Sequence, residues 1–318
     1  TFRDKNKIDF KIFFRAGYMS TIFLLVFSYI SYNFFSFKNS TEALLAKLLV
    51  NNNAVYSTKM DERLFVKNRI IHENLKPKIL IIGSSRIMQL SNDDFNKQIL
   101  NLGVSGASIE DHIAITLMAL EKFNVDTILL ASDPWLFNKY HNQLRWKSIS
   151  EEYKISLKSI QFKSKDYNII ENKNYREIYL FHEHFLEKLY SFSNIRKLDI
   201  EFKANQINNL TKQVILRDGK RVYANNNTEE KIKAEVIEYS MNKYQFSDEY
   251  YEIYKSFIKH LTEVHNKEVV LVLTPYHLPS YKITIQEKPF YLDLEAKFKK
   301  LSKETNIKII GSYEASSI

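Results

Sequence analysis

The first long apolar run of the chain is uninterrupted: from Ala16 to Phe37, AGYMSTIFLLVFSYISYNFFSF carries no charged residue. About 22 residues of helix suffice to cross a hydrocarbon core of about 30 Å. Tyr18, Tyr29 and Tyr32 lie toward its ends, where amphipathic aromatics favour the interface. Arg3, Lys5, Lys7, Lys11 and Arg15 precede the run, against Asp4 and Asp9. The positive-inside rule then predicts a cytoplasmic stub over 1–15, a transmembrane anchor over 16–37 and everything after Lys38 outside the cytoplasm. A cleaved signal peptide would have a shorter apolar region and a small-residue cleavage site.

Beyond the anchor the pattern becomes mixed. Asn51-Asn52-Asn53 marks a turn, and Met60 to Asn74 reads as an exposed, charged helix that Pro77 stops, so 38–77 is a membrane-proximal helical segment. Short β-branched runs follow at Lys78–Ile82, Ile99–Leu102, Thr127–Leu130, Val269–Leu273 and Lys308–Ile310. Helical patterns separate them. Ser108 with Asp111 forms a capping box before the stripe Ile109, Ile113, Leu117 and Leu120. Ser247 caps a helix with the stripe Tyr254, Phe257, Ile258, Leu261 and Val264, and another helix spans about Leu292 to Lys303. This alternation predicts an α/β fold over 78–318, a doubly wound parallel five-stranded sheet of flavodoxin-like type with helices on both faces. The rhythm breaks over about 138–247, too long for an ordinary connection. Helical patterns at Tyr175–Phe192 and Glu229–Asn242 predict an inserted helical subdomain, with a turn at Arg217-Asp218-Gly219-Lys220.

Composition changes this picture little. Hydrophobic residues make up 45% of the 318, with 6 Gly and 5 Pro, as in a protein with a substantial core. There is no Cys, which excludes disulfides and thiolate metal sites. The net charge of +9 comes from Lys scattered among Asn and Ile, with no basic stripe and no nucleic-acid motif. No nucleic-acid partner is expected; an anionic lipid surface or an acidic glycan suits the charge.

In an open α/β sheet, ligands gather at the carboxyl ends of the strands. There the sequence places Gly83-Ser84-Ser85-Arg86, then Asn101-Leu102-Gly103-Val104-Ser105-Gly106-Ala107-Ser108, then Ser132-Asp133-Pro134-Trp135, then Thr274-Pro275-Tyr276-His277. A Ser in a tight strand-to-helix turn presents its hydroxyl upward, beside backbone N–H groups able to stabilise an oxyanion. Arg86 is a candidate for an anionic substrate group beside Ser85, or for a structural ion pair. His182-Glu183-His184 has spacing that sends the two His to different helix faces, so no metal and no cofactor is expected. His112 and Glu110 read as solvated first-turn residues, and Trp135 and Trp146 as packing residues or a glycan-binding surface.

Gly83-Ser84-Ser85 and Asn101-x-Gly103-x-Ser105-Gly106-x-Ser108 resemble the first two sequence blocks of the SGNH/GDSL hydrolases, over about Lys78 to Ile310. With the anchor, the chain looks most like membrane-bound relatives that serve surface-polymer acylation: D-alanyl transfer to lipoteichoic acid, and O-acetylation of peptidoglycan and exopolysaccharide. The resemblance implies that Ser85 attacks an acyl group while the N–H groups of Ser85 and Gly106 form the oxyanion hole. Asn101 and Asp133 are the matching substrate-side positions. It further implies an integral membrane O-acyltransferase as partner, a surface glycan as substrate and a site outside the cytoplasm.

Two departures count. The family has Asn where Asp133 stands, and a carboxylate would repel an oxyanion, so Asp133 also reads as a turn residue before Pro134. The family's Asp-x-x-His after the last strand is missing: the sequence reads Gly311-Ser312-Tyr313-Glu314-Ala315-Ser316-Ser317-Ile318, and no His follows His277. Three explanations stay open. The sequence ends before that pair, or His277 supplies the base, or the domain is a non-catalytic glycan-binding or scaffold subunit. A phosphate or nucleotide binder using the Gly83 loop lacks the Gly-rich or Walker pattern such a site requires.

Overall fold

The structure is a computed structural model and describes residues 14–31, 41–55, 60–160, 214–223, 234–239 and 241–317. Helix α1 (Phe14–Ser31) is long and apolar enough to cross a membrane, and none of its length is buried in the protein. Helix α2 (Thr41–Asn51) follows, then a short strand β1 (Ala54–Val55) and helix α3 (Glu62–His72).

The central sheet is made of β2 (Ile79–Ile82), β3 (Ile99–Asn101), β4 (Thr127–Ala131), β7 (Glu268–Leu273) and β8 (Lys308–Gly311), so all five expected strands form. They lie in the order β3-β2-β4-β7-β8, and every pairing is parallel. Continuous apolar runs are what a parallel strand buried on both faces requires, and all four residues of β2 are buried. Helix α4 (Ile109–Lys122) begins at the expected capping box: the Ser108 N–H donates to Asp111 at 2.9 Å and its hydroxyl at 3.3 Å. Helix α5 (Ser150–Ser159) packs on α4, and α6 (Asp248–Lys259), α7 (Leu278–Glu287) and α8 (Phe290–Thr305) complete the helical layer.

The two faces of the sheet are covered differently. Leu80, Ile82, Leu100, Ile128, Leu130, Leu271 and Leu273 enter one large core with side chains from α2 to α8. Their alternates Ile79, Ile81, Ile99, Leu129, Ala131 and Val270 form a separate cluster with Ile87, Leu90 and Phe95 from the β2–β3 connection. The expectation of helices on both faces therefore needs correction: among the described residues, no helix joins the second cluster. Topology supplies the reason. The step from β2 to β3 runs opposite to every later step, so right-handed crossovers send it alone to the second face. Here that crossover is a series of turns.

Further expectations are corrected as well. Helix α3 is not an exposed charged helix: Arg63, Phe65, Val66, Asn68, Arg69 and Ile70 are all buried. Its arginines tolerate burial because carboxylates meet them, Asp111 at Arg63 and Glu73 at Arg69. Burial still pulls the Arg69 guanidinium down to about 10. Val264 leaves its stripe and is exposed, because the helix after Lys259 widens into a π turn over His260–Val264 and the 3.6-residue period no longer holds.

The insertion is not purely helical. The Arg217–Lys220 turn joins β5 (Val214–Leu216) to β6 (Arg221–Val222), with Gly219 at φ 98°, and β5 pairs antiparallel with β1. Residues 234–239 and 241–242 are not helical, which corrects the expected helix over Glu229–Asn242 in its described part. The pattern at Tyr175–Phe192 and the trio His182, Glu183 and His184 lie outside the described residues.

Candidate functional site

Strand order 2-1-3 in a parallel sheet opens a crevice between the first and third strands, here β2 and β4, at their carboxyl ends. The residues that leave β2 and β4 there meet across it. Gly83 packs so closely on β4 that a Cβ would overlap the Ala131 Cβ. The next residue, Ser84, is fully buried, and its hydroxyl donates to Asp133 Oδ1 at 3.0 Å. Ser85 is exposed, and its side chain bonds to none of the described groups. Of the two serines, only Ser85 offers its hydroxyl to a ligand; Ser84 brackets the turn to β4.

The segment after Gly83 is not a regular helix. The Ile87 N–H donates to Ser84 O at 3.1 Å and the Leu90 N–H to Ile87 O at 3.2 Å, so turns replace the helix N-terminus expected behind Ser85. Behind Ser85 itself, any oxyanion stabilisation falls to individual N–H groups of these turns.

Asn101, expected on the substrate side, is buried and its amide is spent within the protein. Its Nδ2 donates to Ile87 O at 2.9 Å and Leu90 O at 3.1 Å, and its Oδ1 accepts from the Gly103 N–H at 3.1 Å. With the Val104 N–H on Gly83 O at 2.9 Å, it clamps the β3 loop to the β2 loop. Gly106 adopts φ 56°, and a Cβ there would overlap Tyr239 Oη and an Arg145 nitrogen. Its carbonyl accepts from Gln143 Nε2 at 2.9 Å.

Asp133 is 1% exposed, and burial pushes its carboxyl up to about 6 against the opposing effects of the Arg86 charge and the bonds from Ser84. Its Oδ2 has no partner among the described groups. The Arg86 guanidinium donates to Thr274 O and lies 3.6 Å from the centre of the Tyr276 ring, with Tyr313 5.6 Å away. Burial pushes the Tyr276 hydroxyl up to about 12. Arg86 is thus an internal tie between the ends of β2 and β7, and its Nη1 has no hydrogen-bond partner among the described groups. At the end of β8, Tyr313 is fully buried and its hydroxyl donates to Ser132 O at 2.5 Å.

No protein-family model matches this sequence, and no characterised protein or solved structure matches it either. Only its own geometry bears on the site.

His277, the expected alternative base, stands at the N-terminus of α7 with Nδ1 3.0 Å from Ser280 Oγ. No hydrogen bond joins Ser85, Gly106 and His277 to one another among the described residues. His112 is not on a solvated turn: it is fully buried, its Nδ1 lies 2.8 Å from Tyr254 Oη, and burial pulls it down to about 4. Trp135 and Trp146 are buried, and the Trp135 indole N–H donates to Ala107 O at 2.8 Å.

Proposed function

We propose that this chain is a membrane-anchored α/β protein of SGNH type. On this reading Ser85 takes up an acyl group outside the cytoplasm and passes it to a surface-polysaccharide hydroxyl or to water. The observation that carries it is the exposed Ser85 hydroxyl at the β2–β4 switch point, directly after a buried Ser84–Asp133 bracket that fixes its turn. Ser85 Oγ adds to the acyl carbonyl as its proton leaves to a base. The tetrahedral oxyanion sits against backbone N–H groups of the β2 and β3 loops, and its collapse expels the donor alcohol with a proton. The acceptor hydroxyl repeats the sequence in reverse. The anchor holds this site beside an integral membrane O-acyltransferase that supplies the acyl group.

A second reading is favoured by the Ser85 side chain having no base bonded to it among the described residues and by His277 being occupied with Ser280. On that reading the chain is a non-catalytic glycan-binding or scaffold subunit of the same membrane assembly. Labelling the full chain in detergent with a fluorescent fluorophosphonate separates the two. The acyl-transfer reading expects a label that Ser85→Ala abolishes and Ser84→Ala does not. A folded chain that takes no label, or one labelled equally in Ser85→Ala, supports the scaffold reading. Loss of label in His277→Ala would identify His277 as the base.

A further inference from the structure

The loop that carries Gly106 is held from outside the sheet. Glu62, in the first turn of α3, accepts the Ser105 N–H on Oε2 at 2.5 Å and the Ser105 hydroxyl on Oε1 at 2.9 Å. The next residue, Arg63, donates to Ser105 O at 2.9 Å while its guanidinium grips Asp111 at 3.0 and 2.9 Å. Every polar backbone group of Ser105 that faces α3 is therefore engaged, one residue before Gly106.

Glu62 is itself fixed by Arg221 of β6, which is 4% exposed and pairs with its carboxylate. Arg221 also donates its N–H to Met88 O at 2.8 Å and reaches Gly103 O with Nη2 at 3.5 Å. One arginine of the insertion thus touches the β2 loop, the β3 loop and α3. Burial acts to raise the Glu62 carboxyl, and the Arg221 charge with the Ser105 bonds outweighs it, so Glu62 lies below the usual carboxylate range. It is an anion in place at neutral pH.

We infer that Glu62 is a positioning residue for the acyl-transfer site: it sets the backbone of Ser105–Gly106, and so the aim of the Gly106 N–H, through its paired bonds to Ser105. The inference rests on the acyl-transfer reading above. It gives a function to α3, the helix that precedes the central sheet in the chain, and to the β5–β6 hairpin, neither of which lies at a strand end. A one-ångström error in an oxyanion donor is enough to lose most of its effect, and outright loss of a donor costs about 10²- to 10³-fold.

Two conservative variants separate positioning from stability. Glu62→Gln keeps the reach to Ser105 but removes the charge that neutralises Arg221. Glu62→Asp keeps the charge but draws the carboxylate back by one methylene, away from Ser105. Thermal stability of the full chain should rank Asp above Gln. The second-order rate of fluorophosphonate labelling at Ser85, measured well below either midpoint, should rank Gln above Asp, with Glu62→Ala slowed about 10- to 100-fold. Labelling that follows the stability order instead would make Glu62 purely structural and overturn the inference. If the wild-type chain takes no label, the acyl-transfer reading fails. Amide exchange at Ser105 and Gly106 then decides: fast exchange in Glu62→Asp and Glu62→Ala supports the positioning role, and exchange as slow as wild type in both overturns it.

Discussion

Replacing Asp133 by Asn should make the protein more stable at neutral and alkaline pH, although it removes a charged hydrogen-bond acceptor. The carboxyl is buried beside Ser84, and burial raises it from an ordinary 3.8 to about 6. Between those two values the folded protein holds a proton that the unfolded chain has released, so stability falls as pH rises across the interval. The contribution is whole below pH 3.8 and is lost as pH passes about 6. At ~1.4 kcal/mol per pH unit, the interval corresponds to about 3 kcal/mol, the cost of holding Asp133 ionised in the folded state at pH 8. Asn is neutral throughout and still offers Oδ1 to the Ser84 hydroxyl. Urea unfolding of both chains in detergent, followed by tryptophan fluorescence from pH 4 to 8, gives the difference directly, since all other titrating groups cancel. The variant should match wild type near pH 4 and exceed it by about 3 kcal/mol at pH 8. A difference that is constant with pH, or a variant less stable at pH 8, would refute the argument that burial outweighs the Arg86 charge.

Asp111→Ala should destabilise the chain by about 3–5 kcal/mol, because it strands the buried Arg63 guanidinium, and adding Arg63→Met should recover part of that loss in chemical denaturation. Gly83→Ala should cost about 1–3 kcal/mol by driving a methyl into Ala131, with Ala131→Gly in the same chain restoring much of the thermal midpoint. Removing residues 1–40 should release the protein from membranes into the soluble fraction on ultracentrifugation, while the intact chain resists extraction at alkaline pH.

What the sequence makes legible here follows the range of the interactions. Strands β2, β3, β4 and β7 are apolar runs bounded by Pro77, Gly83, Gly103, Pro134 and Pro275, and each such signal is local. The capping box of α4 is three residues long and equally local. Long-range pairing hides the rest. Arg63 and Arg69 make α3 look solvated because Asp111, which neutralises Arg63, lies 48 residues away. The hairpin of the insertion finds its strand partner in β1, before the sheet begins, and no period in the sequence signals it. At the candidate site, Ser85 can be named from its strand-end position, and Gly106 only through the resemblance of its loop to the second SGNH block. The Ser84–Asp133 bond joins residues 49 apart, and Glu62 reaches Ser105 across 43, so the supports of the site are visible only in the fold. The crossover from β2 to β3 reads as a helix because a strand-to-helix turn is the common solution, whereas Asn101 fastens it as successive turns.

The docking of α2 and α3 onto the sheet domain has a consequence for where the protein works. Between the end of α1 at Ser31 and the start of α2 at Thr41 the chain can span at most about 35 Å even when fully extended, at ~3.5 Å per residue. With α1 in the bilayer, α2, α3 and the crevice they brace are tethered as one body on that short leash. A membrane-spanning α1 would thus confine the sheet domain to a shallow layer beside the lipid headgroups. On the function proposed above, that tether would limit the chain to polymer at its membrane-proximal stage.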